Sequence, residues 1–174
     1  MEFKINRADA TLASKMLSLY QKVAQIPDGI IRHPHEINLE YIEGFLQKSI
    51  KQGLALVAVK EDQVVGEIHA YTPDIYAFQH MLTDLTIVVD PQQQGQGIGR
   101  KLFETFLTTV KKEYLYILRI ELYVREHNHR NVKFYEGLGF QNEGQQANKI
   151  FKSAGTFETP LHMAWFNPNY TGNK

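Results

Sequence analysis

The sequence predicts a mixed α/β (α+β) fold, in which helices cover both faces of one central sheet. Seven segments show the apolar alternation or the short apolar runs that are typical of strands. Four other segments repeat apolar residues at the spacing of an amphipathic helix. The two kinds of segment are mixed along the chain, in the order strand, two helices, three strands, helix, strand, helix and two strands.

The first half of the chain is predicted to contain four strands and two helices. Asp9 or Thr11 can cap the first helix and Asn38 the second, because a short polar side chain accepts a hydrogen bond from a free N–H of the first turn. The second helix is expected to bury four apolar residues, which are Leu39, Ile42, Leu46 and Ile50. The strands are expected at residues 3–6, 54–59, 64–71 and 82–89.

The second half is predicted to begin with a glycine-rich loop, at residues 92–97, which opens a third helix. One face of that helix is apolar and is expected to be buried: Ile98, Leu102, Phe103, Phe106, Leu107 and Val110. The remaining elements are a strand at 118–124, a short helix at 128–138 and strands near 140–146 and 160–166.

Length and composition indicate one ordinary globular domain. With 174 residues, 43% of them hydrophobic, we expect a single domain at residues 1–166 and a polar, frayed tail at 167–174. The 19 basic and 19 acidic residues cancel, which argues against a nucleic-acid partner. There is no cysteine, so disulfides, thiolate zinc sites and cysteine nucleophiles are excluded. We expect no membrane span and no signal peptide, and therefore a cytoplasmic protein.

The glycine-rich loop, from Gln94 to Arg100, can hold a phosphate. Successive N–H groups there can point at one anion, the helix N-terminus adds partial positive charge, and glycine permits close approach. A P-loop needs Gly-Lys-Ser/Thr, but the chain has Gly99-Arg100-Lys101, and a Rossmann fingerprint needs a third glycine where Arg100 stands. Taken alone, the loop is either a site for another phosphate-bearing ligand or a tight helix start without a ligand.

A second segment, from Val124 to Phe140, carries Asn128 and the run Tyr135-Glu136-Gly137-Leu138-Gly139-Phe140. The loop itself matches the pattern Gln/Arg-x-x-Gly-x-Gly/Ala through Gln94, Gly97 and Gly99. Together and in this order, the two segments resemble the GCN5-related N-acetyltransferase (GNAT) superfamily. The resemblance implies a GNAT-like domain with a mostly antiparallel sheet of six to seven strands, splayed at the acyl-CoA site. It also implies an acyl-CoA-dependent N-acyltransferase whose cosubstrate is acetyl-CoA.

The resemblance implies that main-chain N–H groups of the loop cradle the pyrophosphate of coenzyme A. The strand before the loop would pair with the pantetheine arm, since main-chain pairing binds without side-chain specificity. Family members often bulge this strand, which lets the thioester reach the acceptor side. The cofactor-binding residues expected on these grounds are Ile87, Val88, Val89, Gln94, Gly95, Gln96, Gly97, Ile98, Gly99, Arg100 and Asn128.

Acetyl transfer needs a deprotonated amine, a donor for the oxyanion and, to a lesser degree, a proton for the leaving thiolate. Tyr135 matches the family's tyrosine position and is the candidate acid, although a place on a buried helix face would also explain it. Asp84 and Glu67 lie on neighbouring predicted strands and are the candidate bases. Solvated or structural roles remain the alternative for both carboxylates.

The loop between the first two helices is implied to line the acceptor site. Arg32 suits an acceptor that bears a carboxylate, whereas Glu36 suits a cationic amine, so the acceptor stays open. Three histidines are further candidates for substrate binding, which are His33, His69 and His80. His69 and His80 lie on or near predicted central strands, and a histidine there could also serve as a base near neutral pH. We expect no metal, because the chain has no thiolate and no recurring carboxylate–histidine spacing.

Three hypotheses for function follow. The first is an acetyltransferase that acts on a primary amine of a small molecule or peptide, as a monomer or homodimer. The second is a non-catalytic module of the same fold that binds or senses acyl-CoA. The third is a nucleotide-binding domain that happens to share the loop.

Overall fold

The computed structural model describes residues 2–152 and 155–172, and its helices and strands follow the predicted order. The helices are α1 (Ala13–Ala24), α2 (Leu39–Gln52), α3 (Ile98–Glu113) and α4 (His129–Gly137). The strands are β1 (Lys4–Arg7), β2 (Gly53–Lys60), β3 (Gln63–Tyr71), β4 (Met81–Val89), β5 (Arg119–Val124), β6 (Gln141–Gln145), β7 (Ile150–Phe151), β8 (Phe157–Glu158) and β9 (Leu161–Phe166).

Seven of these strands form one sheet in the order β1-β2-β3-β4-β5-β9-β6. All neighbours in it are antiparallel except β4 and β5, which are parallel. The predicted α/β fold with a mostly antiparallel sheet is therefore confirmed. The small separate hairpin of β7 and β8 was not predicted from the sequence.

Helices pack on both faces of the sheet and create two apolar cores. The α3 helix buries all six residues of its predicted face, against side chains from β2, β3, β4, β5 and β9. The α1 and α2 helices cover the opposite face of β2, β3 and β4. These two cores hold the central strands rigidly, because burial of apolar surface is the main driving force of folding.

The predicted cap of α2 is confirmed, but Asp9 caps a 3-10 turn and not α1 itself, whose N-terminus has no side-chain cap among the described residues, and the predicted inner face of α2 is partly wrong. Asp9 accepts from the N–H of Thr11 in a 3-10 turn that leads into α1, and Asn38 accepts from Tyr41 at the start of α2. On α2, Ile42 and Leu46 are buried, but Leu39 and Ile50 are exposed. The buried stripe runs instead through Phe45 and Ser49, because positions three and four apart lie on one side of a helix.

The C-terminal segment is attached to the domain, so the expectation that it frays is wrong for residues 167–171. The buried Asn167 side chain donates to the carbonyl of Ile117 at 3.0 Å, and the N–H of Thr171 donates to the carbonyl of Leu115 at 2.9 Å. Residues 173 and 174 lie outside the described residues. Within the described ranges, no helix combines the length and the apolar character of a membrane span.

Candidate active site

The β4 strand contains a bulge opposite β3. Tyr71 pairs with Thr83 and His69 pairs with Thr86, so that Asp84 and Leu85 both lie opposite the single residue between them on β3. Asp84 has a φ of 51°, in the left-handed region that aspartate tolerates better than most residues. The extra residue turns the Asp84 side chain out of the regular sheet pattern.

Just beyond its first residues, β4 separates from β5. The two strands pair only at Met81–Arg119 and Leu82–Ile120. The main-chain groups of β4 that would face β5 after Leu82 therefore have no partner strand. The gap opens into a cavity of about 570 Å³ between the sheet and the loop that joins α1 to α2. The splay expected for an acyl-CoA site is present.

The cavity brings together seven of the candidate residues. They come from the loop after α1, from β3, from β4 and from α4: Arg32, Glu36, His69, Asp84, Ile87, Asn128 and Tyr135. They are spread along just over a hundred residues of sequence, and the sheet pairing places them around one space.

The glycine-rich loop connects β4 to α3 and offers unpaired main-chain N–H groups. Among the described residues, the N–H groups of positions 94 to 100 have no hydrogen-bond acceptor, and the first N–H bonded within the helix is that of Lys101. Gly95 and Gly97 both have a φ of 78°, which glycine adopts without strain. Gly97 directly precedes α3, so the loop joins the positive end of a helix.

Asp90 fixes the beginning of this loop. It is 4% exposed and accepts hydrogen bonds from the N–H of Gln92 at 2.9 Å and from Lys22 Nζ at 2.8 Å. Burial alone would raise the pKa of the Asp90 carboxyl, but the bonds from Lys22 and Gln92 outweigh it and hold the pKa below its ordinary value. On the other side, Lys60 Nζ donates to Gln93 Oε1 at 2.8 Å.

Tyr135 lies on α4 at the inner end of the cavity. Its ring packs against Phe103 and Phe140, and its hydroxyl has no hydrogen-bond partner among the described residues. Burial raises the pKa of Tyr135 to about 12. The hydroxyl therefore remains protonated at physiological pH and can donate a proton or a hydrogen bond into the cavity.

The two candidate bases have very different surroundings. Asp84 is exposed to the cavity and accepts a hydrogen bond of 2.6 Å from the hydroxyl of Tyr71. Glu67 is fully buried and does not contribute to the cavity lining. Its carboxylate lies 3.1 Å from Nδ1 of His69, which does line the cavity.

A protein-family model described as an acetyltransferase (GNAT) domain matches residues 51–142. The match covers more than half of the chain and includes both the glycine-rich loop and Tyr135. The chain belongs to the GNAT acetyltransferase family. The resemblance found in the sequence is therefore confirmed, and GNAT proteins are enzymes of acetyl transfer. No curated protein sequence matches this chain.

Several solved structures share the fold of this GNAT domain. A GNAT-family acetyltransferase from Streptococcus pneumoniae is 22% identical, with a TM-score of 0.84 over 95% of this chain and 99% of the other. A Salmonella typhimurium protein assigned as an acetyltransferase, solved with its cofactor acetyl-CoA, is 16% identical, with a TM-score of 0.84 over 100% and 99%. The ribosomal-protein-alanine N-acetyltransferase of Brucella melitensis is 21% identical, with a TM-score of 0.81 over 94% and 99%.

Two candidate substrate-binding residues lie outside the cavity of the GNAT domain. His33 is exposed and stacks on His35, with 5.7 Å between ring centroids. His80 lies just before β4, in a separate cavity of about 540 Å³ beside Arg119 and Glu121. The sequence correctly predicted that His80 lies near a central strand, but His80 is at the start of β4, and the cavity that contains Asp84 is lined by later residues of that strand.

Arg32 and Glu36, which pointed to different acceptors, contact each other. Arg32 Nη1 lies 3.4 Å from Glu36 Oε1, and the guanidinium stacks over the ring of Tyr41 at 4.2 Å from its centroid. Their charges therefore largely cancel at the mouth of the cavity, and neither acts as an isolated charge.

The candidate cofactor residues of β4 point to both sides of the sheet. Ile87 lines the cavity, whereas Val88 is buried against α1 and α2 and Val89 packs toward α3. Asn128 Oδ1 accepts from the N–H of Asn131 and caps α4, while Asn131 itself also lines the cavity. Asn128 thus has a structural bond that leaves its amide NH₂ group available.

An aromatic wall and an ion network around Arg125 were not predicted from the sequence. Tyr41, Phe45 and Tyr71 surround His69 and Asp84. Arg125 Nη1 joins Asp28 at 2.9 Å and Glu158 at 2.7 Å, which ties the loop after α1 to β8. The alternation of side chains along β3 could have predicted that Tyr71 lies on the same face as His69. No local sequence pattern could have predicted the contact between Asp28 and Arg125, which are 97 residues apart. Among the described residues, no group of potential ligands is arranged to hold a metal ion.

Proposed function

We propose that this chain is an N-acetyltransferase that moves the acetyl group of acetyl-CoA to a primary amine of a small molecule or peptide. The amine attacks directly, with both substrates bound at once. The observation that supports this most strongly is the continuity of the cleft. The cavity around Asp84, the free edge of β4 and the unpaired N–H groups of residues 94–100 follow one another along β4 and the loop that continues it.

Coenzyme A fits the loop end of this path. A pyrophosphate needs several converging donors, and the N–H groups of residues 94 to 100 supply them at the positive end of α3. The pantetheine arm carries amides that can pair with the free edge of β4 at Ile87–Val89, as an added strand would. The thioester then reaches the bulge at Asp84, which lines the cavity.

The chemistry follows from these positions. The amine nitrogen bonds to the thioester carbonyl carbon and the carbon–sulfur bond breaks, so the amine proton must leave and the thiolate must be stabilised. A main-chain N–H of Ile87–Val89 is the donor for the oxyanion, since a fixed dipole there needs no reorganisation. Tyr135 supplies the proton to the leaving thiolate, with a modest gain because a free thiol has a pKa near 8.5.

Asp84 is placed to hold the acceptor amine. Its carboxylate faces the cavity beside the rings of Tyr71 and Tyr41, and aromatic faces attract cations. Among the charged residues that line the cavity, Arg32 pairs with Glu36 and Arg125 pairs with Asp28. Asp84 has no cationic partner among the described residues, so it is the carboxylate available to an arriving ammonium group. A cavity of about 570 Å³ holds a small amine or the end of a peptide.

Two measurements test the proposal. Calorimetry should detect binding of coenzyme A and acetyl-CoA to the folded protein, and thiol release should appear with some member of a panel of amino acids, polyamines, aminoglycosides and N-terminal peptides. Binding without thiol release for the whole panel would indicate the non-catalytic binding module. Binding of ATP or NAD in place of coenzyme A would contradict the proposal.

A further inference from the structure

Three buried polar side chains form a connected row behind the cavity. The hydroxyl of Tyr20, on α1, donates to Glu67 Oε2 at 2.6 Å. The Glu67 oxygens lie 3.1 and 3.2 Å from Nδ1 of His69, and the Tyr20 oxygen lies 3.4 Å from the same nitrogen. Tyr20 and Glu67 are 0% exposed and His69 is 2% exposed. Isolated buried polar groups are costly, so the three are held together by mutual hydrogen bonding.

The row fixes the proton on one nitrogen of His69. A carboxylate accepts hydrogen bonds and cannot donate them, so the neutral imidazole places its proton on Nδ1, toward Glu67. Tyr20 does not supply a proton to Nδ1, because its single hydroxyl proton is donated to Glu67 Oε2. Burial and the Glu67 charge raise the Tyr20 pKa well above its ordinary value and keep the hydroxyl protonated. Nε2 is then left with a free lone pair.

The free nitrogen of His69 belongs to the cavity. His69 contributes to the lining, and Nε2 has no hydrogen-bond partner among the described residues. The ring is held flat against Phe45, with 3.9 Å between centroids and 7° between planes. His69 pairs across the sheet with Thr86, directly beside the bulge at Asp84. The orientation of the ring is thus fixed by stacking on one face and hydrogen bonding at Nδ1.

We propose that His69 is the general base of the acetyl transfer and that Glu67 and Tyr20 are residues that position it. This inference rests on the proposed function. As the amine nitrogen attacks the carbonyl carbon, its proton passes to Nε2 of His69, directly or through one water. The carbon–sulfur bond breaks, the thiolate leaves with its electron pair, and Glu67 stabilises the imidazolium until it returns the proton to solvent.

His69 suits this task better than Asp84. A free imidazole titrates near pH 6.5 and a free aspartate near 3.9, and the best base has a pKa close to the working pH. Asp84 also already accepts the hydroxyl of Tyr71. The other titratable and charged groups that line the cavity are Arg32, paired with Glu36, Arg125, paired with Asp28, and the hydroxyls of Tyr41, Tyr71, Tyr123 and Tyr135. The two roles are complementary: the Asp84 carboxylate holds the ammonium group, and the His69 imidazole takes a proton from it.

Variants at two positions test the inference by kinetics and calorimetry. We expect His69→Gln to lower kcat by about a hundredfold or more and to remove the acidic limb of the pH–rate profile. Glu67→Gln should lower kcat less and move that limb to lower pH, because the imidazolium loses its counter-charge. Affinity for coenzyme A should stay unchanged in both. His80→Gln, outside the cavity, is the matched control and should behave as the wild type.

A spectroscopic measurement separates this inference from the proposed function. Nitrogen NMR of labelled histidine in the resting protein should show His69 protonated on Nδ1, and Tyr20→Phe should alter that signal. Full turnover with an intact acidic limb in His69→Gln, or an Nε2-protonated ring, would overturn the base role while acetyl transfer by the wild type stands. Absence of transfer by the wild type to any amine would instead remove the proposed function, and with it the base role.

Discussion

The hydroxyl of Tyr71 donates a 2.6 Å hydrogen bond to Oδ2 of Asp84, across the bulge between β3 and β4. Burial first, and then this bond and the charge of Asp84, raise the pKa of Tyr71 above its ordinary value. The bond orients a carboxylate whose backbone has a φ of 51°, so it holds Asp84 in the one direction that faces the cavity.

Tyr71→Phe should therefore weaken the acceptor site without affecting the cosubstrate site. A hydrogen bond to a charged group contributes about 1.5–3 kcal/mol, which corresponds to a rise of about tenfold or more in the KM of the amine. Steady-state kinetics at saturating acetyl-CoA measures this, and Tyr76→Phe is the control because Tyr76 is 84% exposed. An unchanged KM for the amine would show that Asp84 does not hold the acceptor.

Gly97→Val should distort the main chain of the glycine-rich loop and so weaken binding of coenzyme A. A Cβ at this position has open space, but the φ of 78° is strained by about 1–2 kcal/mol for a residue with a side chain. The strain turns the N–H groups away from a common point, so we expect at least tenfold weaker binding of coenzyme A by calorimetry. Gly44→Ala, also in open space but within α2, should bind normally. Equal affinity of the two variants would refute the loop as the pyrophosphate site.

Tyr135→Phe tests the proton donor. The variant keeps the buried ring and loses only the hydroxyl, so kcat should fall about tenfold while affinity for acetyl-CoA stays the same. Since burial raises the pKa of Tyr135 to about 12, the group should not itself cause a loss of activity up to about pH 10. Tyr170→Phe, at a 41% exposed position, is the control. Wild-type turnover in Tyr135→Phe would exclude the acid role.

Asp90→Asn should lower stability and loosen the loop. The Asp90 pKa is held below its ordinary value, so its contribution is present above the unfolded carboxyl value of about 3.9 and is lost as pH falls through the lower folded value. At neutral pH the variant should lose about 1 kcal/mol in urea unfolding, and the deficit should shrink in acid.

The control for Asp90→Asn is Asp62→Asn. Lys15 contacts Asp62 at 2.6 Å, just as Lys22 contacts Asp90 at 2.8 Å, but the Asp62 side chain is 87% exposed and that of Asp90 is 6% exposed. Exposed pairs contribute little to stability, so Asp62→Asn should unfold like the wild type. If both variants lost the same free energy of unfolding, burial of Asp90 would not be the reason that its ion pair with Lys22 stabilises the protein.

The local pattern of the chain accounts for the elements and for the glycine loop. The buried face of α3 follows directly from its spacing of apolar residues, and the loop follows from Gln94, Gly97 and Gly99. On α2 the same reasoning misplaced Leu39 and Ile50, because α1 and the sheet cover only one stripe of that helix. Local periodicity predicts which residues lie on the same side of a helix. It does not predict how wide a stripe of that side the neighbouring elements bury.

The sequence by itself determined the order of the main elements, the glycine-rich loop at residues 94–100 that we propose as the phosphate site, and the resemblance to the family to which the chain belongs. Only the tertiary structure decided that Asp84 faces the cavity, that Glu67 lies behind His69 and that His80 is elsewhere. The physical reason is the range of the interactions. Periodicity and glycine geometry act between near neighbours in the chain, whereas the register of β3 on β4 and the gap between β4 and β5 depend on strands brought together from distant segments.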